Sequence, residues 1–308
     1  MRLRNRLFAL TRLFLLFLLA SFAIPSTSEA SKNGVIQTNN PYVVGITFKY
    51  AGVDQLCSGA LITPTIILTA AHCIYDENGK TATDYQFSVP GKPLDDPIDP
   101  TVTLPKVVKV FTSLSLITIG EKKSDDIAFI QLDKPLANSG FIRIATTAEM
   151  NSLSGSSPIY GYGFGAIYET KALYSNYPRK YPLDWNVKSD WINSSTLVLT
   201  SSSASPCKGD SGGPIVATLL NGQNVIVGVT SGASSVVDLC GTQEFDSKFH
   251  IRITIAQPYL SLINSIMPAI TPSQSPSPKK ITITCVKGKL SKKITAINPK
   301  CPIGYKKK

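Results

Sequence analysis

From residue 31 to about 255 the chain is built of short apolar runs, at 42–48, 60–68, 107–111, 127–132, 196–200, 214–219 and 225–230. They are rich in Val, Ile, Thr and aromatic residues, and turn formers such as Glu77-Asn78-Gly79, Asn138-Ser139-Gly140 and Asn221-Gly222 separate them. Strand-forming runs at this spacing build a sandwich or a barrel, so the fold class is all-β. Asn221-Gly222 between two runs is a hairpin signal, because both residues tolerate positive φ. One helix is expected near the end of this body: Tyr259-Leu260, Ile263 and Ile266-Met267 recur at helical spacing, with Pro258 near the start and Pro268 after it.

Both ends read as separable. Residues 1–30 have the pattern of a secretory signal peptide: Arg2, Arg4, Arg6 and Arg12, then an apolar stretch, then Ser28-Glu29-Ala30 as a small-x-small cleavage site. The apolar stretch is short of the roughly 20 residues that cross a bilayer. The expected organisation is a signal peptide over 1–30, a body over 31–270, a Pro/Ser-rich linker over 271–280 and a basic two-cysteine tail over 281–308. The charge divides the same way. The formal net charge is +11, but the signal holds four Arg and residues 273–308 hold ten Lys and no acid. That leaves the body close to −2, so nothing there suggests a nucleic-acid surface. Six cysteines in an exported chain favour disulfides, and no C-x-x-C pair points to a metal.

Three strings carry chemistry. Leu68-Thr69-Ala70-Ala71-His72-Cys73 sets a histidine just after a β-run, Asp125-Asp126-Ile127-Ala128-Phe129-Ile130 sets a carboxylate at the start of another, and Gly209-Asp210-Ser211-Gly212-Gly213-Pro214 sets a serine in a glycine-flanked turn. Acyl transfer needs a nucleophile, a base, a group that fixes the base's tautomer, and donors for the developing oxyanion. These strings offer a candidate for each.

In their wording and in the order His, Asp, Ser, they resemble the chymotrypsin/trypsin-like serine peptidases, over roughly residues 35–268. The resemblance implies two packed six-stranded β-barrels, a cleft between them and a closing C-terminal helix. It implies a secreted serine endopeptidase of bacterial type, with Ser211 as nucleophile, His72 as general base, Asp126 orienting the histidine, and the N–H groups of Gly209 and Ser211 as the oxyanion hole. Ser205, Ser231 and Gly232 fall at substrate-binding positions. Cys57 would pair with Cys73 and Cys207 with Cys240, which leaves Cys285 and Cys301 for the tail. Substrates would be proteins or peptides, with no cofactor, no metal and no nucleic acid, and the chain would be a monomer, extracellular or associated with the cell surface. The other reading is a catalytically silent homologue that binds protein partners.

The chain departs from the family in three places. Ser205 stands where a trypsin-like enzyme has an aspartate, and Asp238, Glu244 or Asp246 would have to replace that charge; Gly232 stands where an aromatic residue is usual. No Ile-Val-Gly-Gly-like string precedes the body to pair with Asp210; the nearest is Asn33-Gly34-Val35-Ile36, so either no separate activating cleavage is needed or Asp210 has another partner. Residues 166–199 concentrate Tyr168, Tyr174, Tyr177, Tyr181, Trp185 and Trp191 in a segment that either covers core or forms a substrate wall. His250, in an alternating run, is either a strand histidine or a pocket residue. The tail resembles basic two-cysteine segments appended to exported bacterial proteins; it is either a solvated sorting or solubility tail or one whose lysines favour anionic cell-surface polymers or membrane surfaces.

Overall fold

A computed structural model describes residues 34–75, 79–96, 104–112, 125–168, 173–186, 196–201, 204–234, 249–266, 281–288, 290–296, 299–302 and 304–308. The expected signal peptide and linker lie outside these, as do Asp238, Glu244, Asp246, Trp191 and Cys240.

The apolar run at 60–68 is not one strand. Pro64 and Thr65 turn it into a hairpin between the third and fourth strands, because proline cannot supply the N–H a ladder needs. After β1 (Val35–Ile36), the first sheet holds β2 (Val43–Tyr50), β3 (Val53–Thr63), β4 (Ile66–Thr69), β5 (Thr83–Phe87), β6 (Val107–Thr112) and β7 (Ala128–Leu132), ordered β5-β2-β3-β4-β7-β6. A two-residue turn joins β2 to β3, with Ala51 at φ 49° and Gly52 at φ 84°. From Leu56 onward β3 is buried on both faces. Successive side chains alternate between faces. Leu61 and Ile67 therefore fill one core with Val44, Ile46 and Ile130, while Ile62 and Leu68 join a second with Phe129, Tyr162, Val216 and Val229.

The second sheet contains β8 (Ile159–Gly163), β11 (Arg179–Leu183), β12 (Thr196–Ser201), β13 (Pro214–Thr218), β14 (Asn224–Ser234) and β15 (Phe249–Ile255), ordered β1-β11-β8-β13-β14-β15-β12. It has seven strands rather than six because β1 adds an edge to β11. Asp184 N–H donates to Thr200 O at 2.7 Å and bridges the far strand back towards β11, so the sheet curls on itself. Its own core holds Ile159, Tyr181, Ile215, Val227 and Ile253. The Phe129–Tyr162–Val216 core carries residues from both sheets and joins them. Each such buried Phe or Leu is worth about 1.5–3 kcal/mol. These two curled sheets, with little helix, are the double β-barrel that the resemblance implied.

The Asn221-Gly222 hairpin joins β13 to β14, with Gly222 at φ 80°. In the aromatic segment, β9 (Ala166–Tyr168) and β10 (Leu173–Tyr174) form a ribbon, while Tyr181 and Trp185 are buried in the second sheet's own core. Those two side chains cover core, as one of the two sequence readings expected. A short helix, α1 (Thr147–Ser152), was not expected from the sequence; it opens on a capping box in which Thr146 accepts from the Glu149 N–H and Glu149 accepts from the Thr146 N–H. The expected C-terminal helix is α2 (Leu260–Ile266), entered through a 3₁₀ turn at Gln257–Tyr259, and it buries Tyr259 and Ile263 against the shared core. Beyond it, β16 (Ile281–Lys287), β17 (Leu290–Ala296) and β18 (Lys306–Lys307) form a separate three-stranded sheet with a Cys285–Cys301 disulfide.

Candidate active site

Thr69 at the end of β4 lies opposite Ala128 at the start of β7. Residues just beyond these ends are therefore brought together, and these are His72 and Asp126. His72 sits in a 3₁₀ turn, Ala71–Cys73, that the Cys57–Cys73 disulfide ties back to β3 and the Tyr50 hydroxyl braces at the His72 carbonyl. The Asp126 carboxylate accepts from the His72 backbone N–H at 2.9 Å, from His72 Nδ1 at 2.7 Å and from Ser231 Oγ at 2.7 Å. Burial pushes this carboxyl up, but hydrogen bonds and charge from His72, with the Ser231 hydroxyl, outweigh it and hold the pKa below its ordinary value. An ionised carboxylate only accepts, so His72 Nδ1 carries the proton and Nε2 is left as the basic nitrogen.

Ser231 reaches Asp126 because of a β-bulge. Thr230 faces Ile253 and Gly232 faces Arg252, so Ser231 is the extra residue between them. A bulge re-aims the side chain it carries.

Ser211 is held by a turn pinned to both sheets. Ser58 N–H donates to Ser211 O at 2.8 Å, Ser58 Oγ donates to Gly209 O at 2.7 Å, and Gly212 N–H donates to Thr230 O at 2.8 Å. Gly212, at φ 78°, leaves no room for a side chain, since a Cβ there would sit 2.1 Å from Thr69 Oγ1 and 2.7 Å from Ala70 N. The serine turn thus rests directly on the segment leading into His72. Ser58, which also accepts from the Phe164 N–H, is a site residue that the motifs did not reveal. Asp210 is fully buried and accepts from Gly165 N–H at 2.8 Å and Cys207 N–H at 2.7 Å. The N–H groups of Gly209 and Ser211 meet no acceptor among the described residues. Backbone donors are normally paired in a fold, so two unmet ones beside a serine offer an anion site.

The remaining expected positions are also placed. Ser205 is buried and its hydroxyl donates to the Pro206 carbonyl at 3.0 Å. The Arg252 guanidinium lies over Gly232, 3.1 Å from where a Cβ would be, and no carboxylate among the described residues pairs with it. Cys207 is disulfide-bonded. His250 lies on β15 as expected, but its side chain is outside the described part. Asp125, next to Asp126, accepts a hydrogen bond from Tyr259, so the entry to α2 braces the aspartate segment. Cys57, His72 and Cys73 converge, but both sulfurs are committed to the disulfide and offer no thiolate to a metal.

The sequence profile described as Trypsin matches residues 29–260. The chain belongs to the trypsin family. Relatives in this family include mouse Chymotrypsin-C, 30% identical over 237 residues (68% of this chain, 81% of the relative). Venom plasminogen activator LV-PA of Lachesis muta muta is 28% identical over 226 residues, covering 68% of this chain and 79% of its own. Human Chymotrypsin-like elastase family member 1 is 25% identical over 260 residues, covering 79% and 95%. These relatives are animal proteins and give no support to a bacterial subtype. Family membership makes this a serine-peptidase domain at the family level.

Proposed function

We propose that the protein is a secreted serine endopeptidase that cleaves peptide bonds through an acyl-enzyme. Ser211 Oγ attacks the scissile carbonyl while His72 Nε2 takes its proton. The N–H groups of Gly209 and Ser211 stabilise the oxyanion, and Asp126 holds the imidazole and the charge it acquires. His72 then protonates the leaving amine, and water repeats the sequence to release the acid. The observation that carries this reading is the Asp126 carboxylate shared between His72 and Ser231, beside a serine turn with two unmet N–H donors. A fluorophosphonate probe tests it. Wild type should label, Ser211→Ala should not, and His72→Ala should label weakly. Folded wild type that takes no label would sink the proposal and leave the silent homologue.

Ser205, Ser231 and Gly232 are the proposed substrate contacts. Ser205 supplies no counter-charge for a basic side chain, and the Arg252 guanidinium over Gly232 is a cation at the rim that no carboxylate among the described residues offsets. The preference therefore runs away from Lys and Arg and towards acidic side chains beside the scissile bond. Secretion, with removal of residues 1–30, fits the disulfides. No separate activating cleavage within 34–36 is proposed, because Arg179 donates to Gly34 O at 2.9 Å and β1 is built into the sheet. N-terminal sequencing of active enzyme checks this, and a start at Val35 or Ile36 would refute it.

A further inference from the structure

After Asp246 the chain holds no acidic residue, and ten lysines fall between 279 and 308. Seven of them are placed in the C-terminal sheet and its ends, and all seven (Lys287, Lys292, Lys293, Lys300, Lys306, Lys307 and Lys308) are exposed. Directly opposed residues of neighbouring strands share a face. On one face Cys285 stands between Lys292 and Lys307. On the other, Thr284 is opposite Lys293 and Val286 is opposite Lys306, next to the hydroxyl pair Thr282 and Thr295. Strands lie about 4.8 Å apart, so Lys292 and Lys307 are separated by roughly 10 Å at the backbone. That is about one Debye length at moderate ionic strength, so their mutual repulsion is only partly screened and grows as salt is lowered. The Cys285–Cys301 link stabilises so small a unit by about 3 kcal/mol against its unfolded chain.

We propose that this sheet binds a flexible, linear, phosphate-bearing polyanion. Such binding does not depend on the hydrolytic activity. Lysines on both faces suit a chain that can pass over the sheet's edge, whereas a bilayer meets one face only. Hydroxyls beside ammonium groups suit phosphate oxygens. A membrane anchor would need an apolar face, and Leu290 at the hairpin tip is the large apolar side chain exposed here among the described residues. Binding would relieve the mutual repulsion and release counterions from the polymer, so it must weaken steeply with salt.

The test uses the full chain carrying Ser211→Ala, to keep it intact, with labelled inorganic polyphosphate over a salt series. Replacing Lys292, Lys293, Lys306 and Lys307 by Gln should lower affinity about 100-fold at low salt and reduce the log–log salt slope by about 3. The pair Lys292/Lys307 and the pair Lys293/Lys306 should each remove about half of that slope change. Arg at all four positions should restore binding, which separates charge from misfolding. Loss confined to one pair, unchanged binding by the Gln set, or failure of the Arg set would overturn the proposal. Tighter binding to duplex DNA, or binding only to phosphatidylglycerol vesicles, would overturn it as well.

Discussion

At the residue scale, the proposed hydrolysis rests on one carboxylate with three contacts. Asp126 fixes the backbone of His72, its tautomer and the bulged Ser231. Asp126→Asn should leave the fold intact and lower kcat by about 10⁴, the loss the Ser-His-Asp template shows when the tautomer is wrong. Stability follows from the lowered pKa. A carboxyl held below its ordinary value adds stability that is fully present above that value and is lost as pH falls through the lowered one. Acid titration of unfolding should therefore show wild type and Asp126→Asn converging below the ordinary carboxylate range. Arg252 gives a second outcome. Exposed ion pairs are worth about 0.2–1 kcal/mol, so Arg252→Gln should reduce enrichment of Asp and Glu in a peptide-library cleavage profile by a factor of about 1.4 to 5. A wild-type profile that favours Lys or Arg would remove the basis for this.

At the element scale, two features were hidden by the coarseness of pattern reading. The run at 60–68 looked continuous because both faces of β3 and β4 are buried, which erases the alternation that marks a strand's ends. Helix α1 is too short to show a period, yet its capping box is plain once Thr146 and Glu149 are considered together. Glu149 also pairs with Arg143, which, with the Thr146 contacts, brings its pKa down to about 2. Glu149→Gln keeps the capping box but removes the charge paired with Arg143, and should cost about 0.2–1 kcal/mol, the usual worth of a surface ion pair. The difference from wild type should be complete above the ordinary carboxylate range and vanish only as pH approaches the lowered value. Thermal unfolding across pH reads both. The Asn221-Gly222 hairpin needed no tertiary help, because its signal lies in two residues whose conformational tolerance is local.

At the scale of the whole molecule, the chain joins a two-sheet peptidase domain to a small basic sheet. Replacing Cys285 and Cys301 by Ser should unfold the basic sheet, seen as lost hydrogen-exchange protection in β16 and β17, while peptide hydrolysis stays within about twofold of wild type. The all-β class, the closing helix and the candidate residues His72, Asp126 and Ser211 were legible in the sequence, because strand period, turn chemistry and three short strings are local properties. The resemblance also implied the Cys57–Cys73 disulfide found in the structure. The seventh strand, the bulge at Ser231, Ser58 bridging the serine turn to Phe164, and Arg252 over Gly232 were not legible. Each depends on the register between strands far apart in sequence, and only the packing of the sheets sets that register. The sequence thus determined which groups are candidates for acyl transfer, and the tertiary structure decided what holds and surrounds each of them.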